Sequence, residues 1–313
     1  MHLMVIAGIV AFLLAGFIVS YVIVNIAMFK KFFARADSDK LKACALEDAH
    51  YAPFREEILA NYTELEKLPA ERVFCLSYDG TRLSARYYDS GSKKTVVLLH
   101  GYHSVPWINF AASGEGLIER KYNILLIDQR AYGESGGQYS SMGVCESKDL
   151  LCWIEYLQRE KKPENIALYG ISMGAATVGY VSDSLENTCV RALVLDCGFC
   201  SPDELQTSIF SRIGVPKQMF ILCNRLVRIK LKVDLKESTA THLAKCSLPV
   251  LFLYGERDAV VPKGDTKRMF DACKSEKILL SVPEAGHTTA LIAGGEKIQS
   301  AFYNFLNKYM GDR

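Results

Sequence analysis

The stretch Ile166–Thr177 reads Ile-Ala-Leu-Tyr-Gly-Ile-Ser-Met-Gly-Ala-Ala-Thr. Ile166–Tyr169 is a strand-length apolar run without alternation, as expected of a strand covered on both faces of a parallel sheet. Ala175, Ala176 and Thr177 open a helix-length stretch of small and apolar residues. Between them, Gly170-Ile171-Ser172-Met173-Gly174 fits the pattern G-x-S-x-G. A strand that turns sharply into a helix through such a segment holds the central serine in strained backbone geometry, and the glycines leave room for the turn. The hydroxyl then stands clear at the top of the sheet, which makes Ser172 a candidate nucleophile.

Outward from this stretch the same alternation repeats. Val73–Tyr78 and Leu83–Tyr88 flank Asp79-Gly80, a hairpin turn signal. Thr95–Leu99, Ile124–Ile127, Ala192–Leu195, Val250–Tyr254 and Lys277–Val282 are further strand-length runs. Helix-length stretches lie between them at Ala111–Lys121, Gly143–Glu160, Met173–Glu186 and Thr266–Lys274. Two antiparallel leading strands followed by β-α repeats describe an open α/β sheet, whose function collects at the carboxyl ends of the strands.

A serine nucleophile needs a base and an acid. His287 lies in Glu284-Ala285-Gly286-His287-Thr288, after the last strand, and Asp258 lies just past the strand Val250–Tyr254. His287 would take the serine proton, and Asp258 would hold the imidazole tautomer and stabilise its charge. An oxyanion hole needs two backbone N–H donors. Tyr102, in the His100-Gly101-Tyr102-His103-Ser104 segment after Thr95–Leu99, and Met173, after the nucleophile, are placed to supply them. Asp196, after Ala192–Leu195, is the competing acid, and Asp258 is preferred because it lies two strands after the elbow strand. His100 and His103 look like a metal pair but lack a partner set, so His100 reads as a structural loop residue. Cys197-Gly198-Phe199-Cys200 is a C-x-x-C outside the β-α pattern of a redox site. No cofactor or metal is expected.

Four segments in this order, HGYHS, DQRAYGESGG, GISMG and GERDAVVP with a following AGH, resemble the α/β-hydrolase superfamily. Within it the chain looks like bacterial serine-aminopeptidase-like hydrolases that carry an N-terminal membrane segment. The resemblance runs from about Arg72 to Tyr309. It implies an α/β-hydrolase fold, a mostly parallel central sheet with helices on both faces and a small helical cap. It also implies a triad in the chain order Ser172, Asp258, His287.

The chain has 313 residues, of which 50% are hydrophobic and 23% charged, with a formal net charge of +2. That excludes disorder and gives no case for nucleic-acid binding. The apolar residues are unevenly spread. No charged residue occurs from Leu3 to Phe29, a run that as a helix would be roughly 40 Å long and exceed a hydrocarbon core of about 30 Å. A cleaved signal peptide would have an apolar region of only about 7–15 residues behind a basic start. Only Met1 and His2 precede this run, so a transmembrane helix over 3–29 is expected. Lys30, Lys31, Arg35, Lys40 and Lys42 follow it, which puts the body in the cytoplasm by the positive-inside rule. Ten cysteines without framework spacing fit a reducing compartment. Residues 30–70 read as a juxtamembrane helical linker and 71–313 as the catalytic domain.

More than fifty residues separate the strands Ala192–Leu195 and Val250–Tyr254, far above an ordinary connection, and a cap insertion is expected at about 202–247. Its middle carries Arg212, Lys217, Arg225, Arg228, Lys230 and Lys232 with no acid from Arg212 to Leu231. The plain reading is a cap helix with a solvated basic face. A sharper one rests that face on anionic lipid, so that a soluble body lacking residues 1–36 would still bind anionic vesicles. Tyr102, Trp107, Phe199 and Phe210 are further candidates for pocket walls. The expected function is a membrane-anchored serine hydrolase of carboxylic esters or thioesters, acting on a small-molecule ester or acyl substrate, with lipids among the candidates. A peptidase or amidase is the alternative, and a non-catalytic membrane adaptor the alternative of another class.

Overall fold

A computed structural model describes residues 2–37, 39–41, 46–47 and 49–311. Lys42 and Cys44 lie outside the described residues, and the nine described cysteines are free.

Eight strands form one sheet: β1 (Glu71–Leu76), β2 (Arg82–Tyr88), β3 (Lys94–Leu99), β4 (Asn123–Asp128), β5 (Asn165–Ile171), β6 (Val190–Asp196), β7 (Val250–Gly255) and β8 (Lys277–Val282). Their order across the sheet is β1-β2-β4-β3-β5-β6-β7-β8. β1 pairs antiparallel with β2, and β2 with β4, while every pairing from β4 through β3 to β8 is parallel. The central strands β3, β4, β5 and β6 are buried along almost their whole length, as their unbroken apolar runs require. The Asp79-Gly80 signal becomes the β1–β2 turn, with the Ser77 N–H donating to Thr81 O (2.8 Å).

The helices are α1 (His2–Phe33), α2 (Arg55–Lys67), α3 (Pro106–Glu119), α4 (Val144–Tyr156), α5 (Met173–Val181), α6 (Pro202–Arg212), α7 (Ile221–Leu231), α8 (Thr239–Leu243), α9 (Asp265–Ala272), α10 (Ala290–Ala293) and α11 (Gly295–Met310). Each sheet face has its own apolar core. One joins Val96, Leu98, Tyr169 and Val194 to Phe110 and Phe302 of α3 and α11. The other joins Val97, Leu168 and Leu193 to Trp153, Val178 and Met269 of α4, α5 and α9.

Described residues beyond the first apolar run pack on this body. α2 is packed on α3 so closely that a Cβ on Gly114 would lie 2.8 Å from Leu65 Cδ1. The strand-like bridge Ala34–Tyr139 and the Arg35 guanidinium, donating to Ser135 O (2.6 Å) and Gly133 O (2.5 Å), fasten the chain after α1 to the loop behind β4. Helix α1 itself runs to Phe33, one turn past the expected end at Phe29, because Lys30 and Lys31 face solvent and Phe33 packs inward. It is long and apolar enough to cross a membrane. α6, a 3-10 turn at Lys217–Phe220, α7 and α8 occupy the long connection between β6 and β7.

Candidate active site

The elbow shows its strain directly. Ser172 has φ 54° and ψ −112° between the end of β5 and the first residue of α5. This region is costly for any residue with a Cβ, and it persists because the turn is fixed from several sides. The Ser172 N–H donates to Asp196 O (2.8 Å), and the Ala176 N–H donates to Ser172 O (3.0 Å). A Cβ on Gly174 would lie 1.9 Å from Leu99 O, and one on Gly170 would lie 2.1 Å from Gly174 O. Glycine is therefore required at both positions by contact, apart from any need for positive φ.

The carboxyl ends of β5, β7 and β8 bring three side chains together. Ser172 Oγ lies 2.9 Å from His287 Nε2, and His287 Nδ1 lies 2.7 Å from Asp258 Oδ2. The second Asp258 oxygen accepts from the backbone N–H groups of Val260 (2.8 Å) and Val261 (3.0 Å). Burial works to raise the Asp258 carboxyl, but the His287 hydrogen bond and charge and the two backbone donors outweigh it and hold it below the usual carboxylate range. Ser172 is 7% exposed.

The segment after β3 is built to present backbone. Asn109 Oδ1 accepts from the Gly101 N–H (2.7 Å), and the Tyr132 hydroxyl accepts from the His103 N–H (3.3 Å). His100 is fully buried. Its Nε2 accepts from the Gln129 N–H (3.2 Å), so Nδ1 carries the proton and donates to Gly101 O (2.7 Å). Burial lowers its pKa, and a neutral ring bonded on both sides is a structural part of the loop. The Tyr102 ring stacks on His103 with centroids 3.9 Å apart. Met173 opens α5, where a backbone N–H has no partner within the helix.

Asp196, the competing acid, lies elsewhere in the arrangement. It ends β6, is 1% exposed, and among the described residues neither carboxyl oxygen has a hydrogen-bond partner. Burial pushes its carboxyl up to about 7, and the Asp258 charge adds to the shift. Cys197 Sγ comes within 4.8 Å of the Asp258 carboxylate and the His287 ring. Burial raises that thiol well above its usual range, which keeps it protonated and a poor metal ligand. Cys200 points away, with its thiol donating to Asp265 O (3.6 Å), so the C-x-x-C does not act as a pair.

Of the proposed pocket walls, Tyr102, Phe199 and Phe210 share one apolar cluster with Met173. Trp107 does not. It falls on the first turn of α3, where it is fully buried and donates from Nε1 to the Tyr88 hydroxyl (2.8 Å) in the core on the other side. Sequence reading passed over three positioning residues. Asn109 and Gln129 carry no motif of their own, and Tyr51 bonds the Thr288 hydroxyl (2.6 Å) beside His287 from a segment read as linker. The cap's basic run is also less isolated than its sequence implies. Lys217 Nζ reaches Asp203 (2.6 Å), and Arg228 lies 3.8 Å from Asp234.

Residues 90–233 match the family described as serine aminopeptidase S33, and residues 217–310 match the family described as TAP-like protein. The chain belongs to the α/β-hydrolase superfamily. An esterase of Pyrococcus furiosus has the same fold, with a TM-score of 0.66 and 24% identity over 80% of this chain and 94% of the esterase. Among relatives by sequence, the uncharacterized protein YfhR of Escherichia coli strain K12 is 24% identical over 71% of this chain and 74% of its own length. An uncharacterized membrane protein of Saccharomyces cerevisiae is 25% identical over 55% of this chain and 57% of its own length.

Proposed function

We propose that the protein is a membrane-anchored serine hydrolase of carboxylic esters or thioesters, with Ser172 as nucleophile, His287 as base and Asp258 as the acid that orients it. The observation that carries this reading is the continuous relay from Ser172 Oγ to His287 Nε2 (2.9 Å) and from His287 Nδ1 to Asp258 (2.7 Å). His287 takes the Ser172 proton as Oγ bonds to the acyl carbon. The Tyr102 and Met173 N–H groups stabilise the oxyanion. The tetrahedral intermediate expels the alcohol or thiol, which leaves with the proton from His287. Water then gives a proton to His287 and attacks the acyl-enzyme, and as the acyl–Oγ bond breaks His287 returns that proton to Ser172 Oγ, releasing the acid. The helix α1 anchors the protein, and the basic residues after it hold the body on the cytoplasmic side.

A serine peptidase or amidase uses the same parts, and the match to the serine aminopeptidase family favours it as second reading. A silent adaptor is disfavoured by the strained elbow, since φ 54° at Ser172 costs stability and gives a scaffold nothing in return. The test is fluorophosphonate labelling of the full chain and of Ser172→Ala, followed by p-nitrophenyl esters against aminoacyl-anilides. Labelling confined to the wild type, with faster ester cleavage, is the expected result. Equal labelling of the two proteins overturns the nucleophile, and faster anilide cleavage makes it a peptidase.

A further inference from the structure

Helix α1 has two unlike halves. Every residue from His2 to Ser20 is exposed, a length of about 28 Å, close to one hydrocarbon thickness. From Tyr21 onward the helix is part of the cap. The Tyr21 hydroxyl donates to Gln218 O (3.2 Å). Asn25, the one strongly polar side chain of the apolar run, is 0% exposed. Its Nδ2 donates to Tyr21 O and to Met219 O (2.9 Å each), and its Oδ1 accepts from the Cys223 N–H (2.9 Å). Cap helix α7 begins behind Phe220, which offers no capping side chain. Cys223 is its third residue, so Asn25 supplies from the membrane helix the N-cap bond that α7 lacks.

One turn further on, α1 reaches the site. Phe29 and Phe33 are buried in the same apolar cluster as Phe210, Phe220 and Met173, the neighbour of Ser172. The Phe32 and Phe210 rings meet edge to face at 5.3 Å. The Tyr102 hydroxyl donates to Lys31 O (3.3 Å) in the last turn of α1. From Tyr21 to Lys31, about 15 Å of helix, α1 thus runs from the end of the lipid-length segment to the oxyanion loop, and Met28, Phe29 and Phe32 form its apolar wall along the seam with the cap. Outside this seam, Ile221 and Ile229 are exposed beside Arg225 and Lys230, a surface suited to an anionic headgroup layer.

We propose that the substrate is a membrane-resident lipid ester or thioester with a long acyl chain, which reaches Ser172 along the last three turns of α1, beneath the cap. The proposal rests on the serine-hydrolase reading and uses the same acylation and deacylation. The acyl chain leaves the bilayer against phenylalanine side chains and so stays out of water. This stretch of α1 is about 15 Å long, and a short chain would have to quit the bilayer entirely to reach the serine.

The test uses the full chain in vesicles of phosphatidylcholine and phosphatidylglycerol. p-Nitrophenyl palmitate is supplied in the bilayer and p-nitrophenyl butyrate in the water. Fluorophosphonate labelling of Ser172 is measured first, and its absence fails the serine-hydrolase reading itself. In a labelled protein the palmitate rate is expected to exceed the butyrate rate by at least about tenfold, given the apolar area each methylene buries. Asn25→Leu, which loses the cap bond, is expected to cut the palmitate-to-butyrate ratio at least about fivefold. General loosening would lower both rates and leave the ratio unchanged. A labelled protein that prefers butyrate overturns the proposal. So does a labelled Asn25→Leu protein with the wild-type ratio, because the route then does not depend on α1. If Asn25→Leu does not fold, the wild-type preference alone decides.

Discussion

Ser172 sits at a positive φ that only a rigid turn sustains, and this sets what substitutions there and nearby should do. Ser172→Ala keeps the turn and removes the proposed nucleophile. It should lower ester hydrolysis by about 10⁴-fold or more, with an unchanged melting temperature, since triad members act as a unit. His287→Ala should be comparably severe, and Asp258→Asn smaller but large, as read by kcat on a p-nitrophenyl ester. Asp196→Asn should leave turnover near wild type. Its effect is on stability. The folded carboxyl titrates near 7, against about 3.9 in an unfolded chain, so between those values the native state holds more protons. Stability contributed through this group therefore falls as pH rises from about 4 to about 7 and is level above. The melting temperature of Asp196→Asn relative to wild type should climb across that interval and then hold. A constant difference would show that Asp196 does not titrate there. The three positions that meet at Ser172 were legible because each follows a strand in a short motif. Asn109 was not, since an asparagine on a helix announces nothing until the loop it holds is seen.

Among the elements, α1 is where sequence and structure part most. Its apolar composition reads as an anchor alone, and Asn25 reads as one tolerated polar residue. Its partners, Met219 and Cys223, lie 194 and 198 residues away, beyond any local pattern. A soluble body beginning at Asp37 would therefore expose the cap's inner face where Phe29 and Phe33 pack, and lose the α7 cap bond. A chain beginning near Ser20 should keep its melting temperature and butyrate hydrolysis, whereas one beginning at Asp37 should lose several degrees or aggregate. Light scattering and a thermal melt decide this, and two equal melts would show that the second half of α1 is dispensable. The cap's basic face is tested separately in the longer form. Replacing Arg225, Arg228, Lys230 and Lys232 with Gln should abolish its salt-sensitive sedimentation with anionic vesicles, because each basic residue near such a surface contributes about 1 kcal/mol. Equal sedimentation of both forms would make the run a solvated face.

At the scale of the molecule, the sheet was the most legible part. Uninterrupted apolar runs fixed β3 to β7 within a residue or two at each end, because strands buried on both faces leave no polar positions to blur them. The places of α2 and Trp107 were not readable, since both depend on which face of the sheet the chain crosses. The proposed orientation rests on the basic residues after α1. A cytoplasmic reporter fused after Arg313 should be active, and one that works only outside the membrane should be silent. The opposite pattern would reverse the topology.

The bond between Asn25 and the cap also orders the protein's birth. A ribosome adds about 5–20 residues per second, so the 198 residues separating Asn25 from Cys223 take roughly 10–40 s to make. For most of that interval α1 is complete while the face it packs against does not yet exist. The aromatic end of the helix must wait, exposed, for a partner still being translated. Insertion of α1 into lipid during synthesis would shelter most of its length and fix its place beforehand. The cap would then close last, at the bilayer surface, and the enzyme would mature only where it is to work.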